Sequence, residues 1–386
     1  MAKIELIGVT KKFGKITALD NIDLEIRDKE FFVLFGPAGA GKTTILNTIA
    51  GIQIPDKGVV KINGEVANQV DPQHRDMAMV FENYALYPHL KVYDNIASPL
   101  RSPMHKKDEA FIKEAVESVA ALLRIDKLLE RLPSQLSNGQ RQRVALGRAL
   151  VRRPKAYLMD EPLAHLDAKL RNMMRSELKE IQSNFESTSI YVTHDFMEAM
   201  SLGDRIAIIN KGSIVQIGTS DEVYYLPCNE FVAQLMGDPE INMLSCRLDK
   251  KDGAYEAALW EFACVCTVPK DKELYERLDA CGAKNLHIGI RPQNIKYRFD
   301  PAEDYSVGTV NSFEAIGNKS VLVVKLGAAE VRIIVPNDLQ VKLDQEVYVK
   351  LDMERALFFD AATTEYICRY DEASFRAHAA GQAGKE

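Results

Sequence analysis

The chain has 386 residues, 46% of them hydrophobic and 27% charged, with a formal net charge of −6. That length exceeds one ordinary core and predicts two domains, and the acidic balance argues against a general nucleic-acid binder, so no nucleic acid is expected as a partner. No apolar run is long enough to span a membrane, and the N-terminal MAKIELIGVTKKFG reads as a first strand, not a signal peptide.

Residues 1–236 alternate strands and helices. The strand candidates, in chain order, are IELIGV, IDLEI, FFVLF, GVVKI, MAMVF, AYLMD, SIYVT, RIAII and SIVQIG. FFVLF and AYLMD are apolar throughout, as expected of central parallel strands covered on both faces, and MAMVF reads as a short buried strand. The helices between them include KTTILNTIA, DEAFIKEAVESVAALL, GQRQRVALGRALVR and DAKLRNMMRSELKEIQSNF, and the stretch from about 87 to 153 reads as a helical insert. Beyond 237 long helices give way to short alternating segments: AALWEFACVCTV, LHIGIRP, SVGTVNSF, SVLVVKL, EVRIIV and EVYVKL. They predict an all-β domain of barrel type over 237–386, so the fold class is α/β followed by all-β. The terminal RAHAAGQAGKE reads as frayed. Six cysteines are present; the spacing of Cys264 and Cys266 suits neither a zinc knuckle nor a redox pair, so reduced thiols are expected.

GPAGAGKTT follows FFVLF directly and opens a helix. Gly36, Gly41, Lys42 and Thr43 fit the phosphate-loop spacing G-x-x-x-x-G-K-[ST], with Pro37, Ala38, Gly39, Ala40 and Thr44 completing the loop. Glycines let the backbone wrap a phosphate, amides and the helix N-terminus face its charge, Lys42 reaches the terminal phosphates, and the Thr43 hydroxyl can ligate Mg²⁺. AYLMDEP ends a strand on Asp160 and Glu161; beside a phosphate loop, the first acid holds the metal and the second orients or deprotonates an attacking water. In LSNGQ, Ser137 reads as an N-cap with Gln140 closing a capping box around Asn138 and Gly139, and a capped helix start is also an anion site. His194 follows the strand of YVTHD and could reach the terminal phosphate. No N-K-x-D guanine motif occurs, since NKGS at Asn210 lacks the acid.

These elements, in this order, resemble the ATP-binding-cassette (ABC) ATPases over the first 236 residues. The resemblance implies that Phe13 stacks on adenine, Gly36–Thr44 cradles the phosphates, Glu82 occupies the Q-loop glutamine position and Leu136–Gln140 is the signature. It makes Asp160 and Glu161 the metal-binding acid and the catalytic base, Asp167 the D-loop acid and His194 the switch histidine. It implies ATP and Mg²⁺, and two nucleotides sandwiched between two cassettes, the second being either another copy or a different paralogue. NYALYPHLKVYDNI, PLAHLDAKLR and GIRPQN resemble the ATPase subunits of bacterial carbohydrate and glycerol-phosphate importers, which carry a C-terminal TOBE domain of oligonucleotide-fold type. This implies integral-membrane permease partners contacted near Tyr84–His89, a solute-binding protein acting indirectly, and a place on the cytoplasmic face of the inner membrane.

Three departures stand out. Glu82 replaces a glutamine, so an ionised side chain offers acceptors alone, which suits Mg²⁺ but adds charge beside a triphosphate. At about 5 Å and an effective dielectric near 20, one unit repulsion costs roughly 3 kcal/mol. Asn138 stands for the second signature glycine, where tolerance of a left-handed backbone would help, and Ala38 and Ala40 stand where the family has Ser or Cys. A neutral variant and one with weakened turnover, as half of an unequal pair of cassettes, are both compatible with these residues.

Overall fold

The structure is a computed structural model and describes residues 2–185, 187–261, 264–317 and 319–376. It divides into two compact units, Met1–Ser220 and Asp221–Glu386. No helix among the described residues is long and apolar enough to cross a membrane.

In the first unit, β1 (Ile4–Phe13) and β2 (Ile16–Ile26) form a hairpin, followed by β3 (Phe31–Phe35), α1 (Lys42–Ala50), β4 (Lys57–Ile62), β5 (Glu65–Val66) and β6 (Met77–Val80). Three helices come next, α2 (Val92–Arg101), α3 (Glu109–Leu122) and α4 (Asn138–Leu150), within the stretch read as a helical insert. The unit closes with β7 (Ala156–Asp160), α5 (Ala168–Phe185), β8 (Thr188–Thr193), α6 (Phe196–Leu202), β9 (Arg205–Asn210) and β10 (Ser213–Gly218). One sheet runs β2-β1-β4-β5 and a second β10-β9-β3-β8-β7-β6. Every residue of β3, β7 and β8 is buried, because parallel strands inside a sheet are covered on both faces. β6 is instead the edge strand, alternately buried and half-buried, and Phe81 lies beyond it, so the MAMVF reading is corrected at both points.

A single core joins Ile4, Leu24, Phe32 and Leu34 to Ile45, Leu46 and Ile49 of α1 and to Leu158 and Val192. α1 is thereby packed between the two sheets, with its start at the end of β3. Its other end is tied by Arg75, 3% exposed, which donates to the carbonyls of Thr48, Ile49, Ala67 and Val70. A cation at a helix C-terminus meets the unpaired carbonyls and the negative end of the dipole.

The second unit takes in most of α7 (Ser220–Tyr225) and continues through α8 (Glu230–Leu235), β11 (Asn242–Lys251), β12 (Ala254–Leu259), β13 (Cys264–Thr267), α9 (Lys272–Cys281) and β14 (Asn285–Ile290). It then runs through β15 (Ile295–Arg298), β16 (Ser306–Ile316), β17 (Lys319–Leu326), β18 (Ala329–Val335), β19 (Glu346–Leu351), β20 (Leu357–Asp360) and β21 (Tyr366–Arg369). Two antiparallel sheets, β13-β12-β11-β14-β20-β21 and β15-β19-β16-β17-β18, share one apolar core. The division lies earlier than the expected 236/237 because α8 is tied into the β-rich unit: Glu230 N–H donates to Thr364 and Glu230 pairs with His287 at 2.7 Å. AALWEFACVCTV holds two strands, β12 and β13, paired antiparallel. α9 is an unanticipated helix; its signals are the Asp271 cap and Gly282 at its end, left-handed with φ 63°. The stretch RAHAAGQAGKE falls outside the described residues after Arg376.

Arg75→Met leaves four carbonyls without their donor. The expected cost is about 3 kcal/mol and a fall of about 10 °C in the first unit's thermal transition, read by calorimetry, with Arg75→Lys intermediate.

Candidate nucleotide site

The glycine-rich loop is set by backbone constraints. A Cβ on Gly36 would lie 2.3 Å from the Ile209 carbonyl, and Gly41 (φ 109°) would place one 2.8 Å from that of Ala18. α1 therefore starts on a left-handed glycine, with no side-chain cap and no acid in its first turn. Its leading amides face outward in a cradle suited to an anion. Lys42, 5% exposed, folds back and donates to the carbonyls of Gly36 and Pro37, each at 2.9 Å. Burial draws its pKa down, opposed by the charges of Glu161, Asp160 and Glu82.

Those three acids come from the ends of two parallel strands. Asp160 ends β7, is 3% exposed, and accepts from Thr43 Oγ1 at 3.2 Å. Burial pushes its carboxyl up to about 6; the Thr43 bond pulls it back, while Glu82 and Glu161 push it further. Glu161 has a positive φ of 45°, rare for a non-glycine residue and the kind of strain that collects at functional sites. It is pinned there by its N–H to the Val192 carbonyl and by Gln142 Nε2 on its own carbonyl, at 3.0 and 3.3 Å. Glu161 Oε1 lies 2.9 Å from Nδ1 of the exposed His194. Glu82 lies just past β6, exposed, and its charge acts on both Lys42 and Asp160. The structure thus gathers Lys42, Thr43, Asp160, Glu161, His194 and Glu82 around the loop.

The remaining expected residues stand apart. Phe13 is half-exposed near the tip of the β1–β2 hairpin, with Lys11 Nζ 5.5 Å from its ring centroid. Ser137 and Gln140 form the expected capping box, with bonds of 3.3 and 3.0 Å. Asn138 is the first residue of α4 and is absent from the positive-φ residues, so the left-handed tolerance considered for it is not called upon. Gly139 packs against Leu166, and no hydrogen bond or ion pair among the described residues joins Ser137–Gln140 to the phosphate loop. Asp167 accepts from Leu170 N–H at 2.9 Å and so serves as a cap for α5.

Sequence reasoning missed Arg148 and Asn95, two side chains that shape the site. Arg148 of α4 donates to the carbonyls of Ala85 and Tyr84, at 2.7 and 3.1 Å, and holds the turn after Glu82, where both residues have positive φ. Asn95, fully buried, exchanges bonds with both backbone groups of Tyr87 and donates to Leu90 and Lys91, which leaves Tyr87 and His89 exposed. Tyr84 meets the His165 ring edge-on at 5.6 Å, linking that turn to the segment before Asp167. A polar residue within an amphipathic helix was the available sign, and it is a weak one.

The raised Asp160 pKa has a definite sign. Between 3.8 and about 6 the native state holds a proton that the unfolded chain has released, so stability falls as pH rises through that window. Nucleotide-free Asp160→Asn is expected to match the wild type near the lower limit and to exceed it above the upper one by up to about 3 kcal/mol, read as Tm against pH.

The ABC transporter family profile matches residues 19–164 and the TOBE domain profile residues 288–359. The trehalose/maltose import ATP-binding protein of Thermococcus litoralis is 41% identical over 381 residues, covering 95% of this chain and 100% of that protein. The sn-glycerol-3-phosphate import ATP-binding protein of Chromobacterium violaceum is 38% identical, covering 95% and 96%. A dimeric ATP-binding cassette in a post-hydrolysis state, bound to ADP and Pi, superposes with a TM-score of 0.53 at 31% identity, covering 56% of this chain and 98% of that one. With the phosphate loop, the paired acids and the β-rich second unit in place, the chain belongs to the ATP-binding subunits of ABC transporters, with an ABC ATPase fold followed by a TOBE domain.

Proposed function

We propose that this subunit hydrolyses Mg-ATP to drive uptake of a sugar or polyol through separate membrane permeases, from their cytoplasmic side. The observation that carries the chemistry is the hydrogen-bonded pair Glu161–His194, beside a buried Lys42 and an uncapped, glycine-started helix. The importer reading rests on the two relatives, whose names specify trehalose/maltose and sn-glycerol-3-phosphate import.

The proposed roles follow from position. Lys42 exchanges its two carbonyl bonds for terminal phosphate oxygens, and the free amides of α1 take the remaining charge. Glu161 accepts the proton of the attacking water, while His194, held on Glu161, senses the terminal phosphate. Thr43 and Asp160 fit an oxygen-ligated cation, and the charge of Glu82 acts on the same Asp160. No group of three or more His, Cys, Asp or Glu side chains suited to a metal occurs among the described residues, so most ligands would come from phosphates and water, the habit of Mg²⁺. When bound, that ion would neutralise charge developing on the phosphates. Asp160 must be ionised to hold it, and its raised pKa favours binding above about pH 6.

The signature Ser137–Gln140 serves the nucleotide of a second cassette, as the resemblance implies; among the described residues no hydrogen bond or ion pair joins it to the loop of its own chain. Another copy is the simplest partner. Glu82 favours a second reading, a slow cassette paired with a different one, because it adds negative charge next to Asp160.

Steady-state ATPase of the full chain tests the assignment. Glu161→Gln is expected to lower kcat by about a hundredfold or more while ATP still binds, and Lys42→Ala to abolish binding. Full turnover by Glu161→Gln would overturn the base. Glu82→Gln is expected to raise kcat severalfold if the carboxylate retards turnover, and to leave it unchanged if Glu82 is neutral.

A further inference from the structure

Gly289–Asn294, GIRPQN, is a marked stretch of the second unit that the nucleotide chemistry does not use. It leads from β14 into a cavity of about 320 Å³, whose wall includes Arg291, Gln293 and Asn294, together with Arg355 and Arg369. Arg291 and Arg369 are 4% and 3% exposed. Neither forms an ion pair among the described residues.

Arg291 donates to the carbonyls of Tyr224 (2.8 Å), Ala233 (3.0 Å) and Met236, and its guanidinium lies 4.0 Å from the Tyr224 ring centroid. Arg369 donates to the carbonyls of Tyr225 and Tyr370, at 3.3 and 3.4 Å, and lies 3.6 Å from the Phe375 ring centroid. Its Nη2 has no hydrogen-bond partner among the described residues. Glu372 acts on Arg369, but that carboxylate is already bound by Arg277, Arg376 and the Tyr366 hydroxyl. Arg355 stands exposed at the wall and has no ion pair among the described residues.

Three arginines therefore line one small cavity, two of them buried, and its wall carries no carboxylate. Burying cations without a counter-charge is costly, and they repel each other as well. Burial draws Arg291 down to about 10 and lowers Arg369, with Arg369 acting on the first and Arg355 on the second. A fold that bears this cost gains it back when an anion enters.

We propose that this cavity binds the phosphoryl group of a small metabolite, a site separate in chemistry from the phosphate loop. A phosphomonoester supplies close to two charges and three acceptor oxygens: the uncommitted Arg369 Nη2 and the Arg355 fork supply donors to it, and Arg291, held on three carbonyls, adds its buried charge. Gln293 and Asn294 supply polar groups for the remainder of the ligand, and the volume suits an ester of a few carbons.

The test is calorimetric titration of the full-length protein with inorganic phosphate, with glycerol phosphate, and with glycerol as the uncharged control. Lys42→Ala serves as the background, so that binding at the phosphate loop does not contribute. One phosphate-dependent site is expected to persist in Lys42→Ala and to weaken by roughly tenfold or more when Arg355→Gln is added, a change at an exposed residue that spares the fold. Adding Arg369→Lys, which keeps the charge and loses the fork, should weaken it as well. Glycerol phosphate binding more tightly than inorganic phosphate supports a metabolite ester; equal affinity supports the free ion with the same arginines. Loss of all phosphate binding in Lys42→Ala, affinity indifferent to Arg355→Gln and Arg369→Lys, or binding of an acidic phosphopeptide alone would overturn the proposal. These outcomes leave the ATPase assignment untouched, since that is read from Glu161→Gln.

Discussion

Lys42 is the charge on which the cassette turns. Its ammonium is buried, holds two carbonyls of its own loop, and faces the acids Asp160, Glu161 and Glu82. Three carboxylates against one lysine is an imbalance that a triphosphate alone would worsen and a divalent cation would relieve. In the proposed site this constraint would link phosphate and metal, with Lys42 and the α1 amides placed for the anion and Thr43 and Asp160 for the cation. The surrounding fold serves that arrangement. α1 is gripped between two sheets, Arg75 ties down its far end, and Gly36 and Gly41 let the loop run against Ile209 and Ala18.

The 13-residue helix α4 gives the site its reach. Its start carries the signature, Gln142 holds the Glu161 carbonyl, and Arg148 holds the turn after Glu82. Gly147 lets Leu123 and Ile96 pack close to it, which ties the other insert helices to the same rod. A shift of α4 would be felt at Ser137–Gln140, at Glu161 and at the Glu82 turn together. The exposed Tyr87 and His89 lie a few residues further on, in a segment that Asn95 holds at Tyr87 and Leu90.

Much of this was legible in the residues. The phosphate loop, the two acids and the capping box have short, local signatures: a strand end leading through glycines into a helix, a strand end on two acids, and a capped helix start. KTTILNTIA matched α1 residue for residue, since the glycines before and after it define both ends. What the sequence concealed is non-local. The edge position of β6 depends on strand order, and the allegiance of α8 depends on Thr364 and His287, far along the chain. The strained φ of Glu161 is invisible in its side chain, and Arg148, Asn95 and Arg75 act on backbone carbonyls, which leave no pattern to read. α9 lay hidden because its surroundings are all strands, although its cap and terminal glycine were present.

In the proposed assembly each nucleotide is held between the phosphate loop of one cassette and the signature of another copy. The direct measurement is the mass of the purified Glu161→Gln chain by size exclusion with light scattering, with and without Mg-ATP. A dimer that appears with Mg-ATP and dissolves when it is removed is the predicted result, and it would also mean that Glu82 and Asn138 are tolerated in a symmetric pair. A chain that binds ATP yet stays monomeric would contradict self-pairing and require a different cassette to supply the second half.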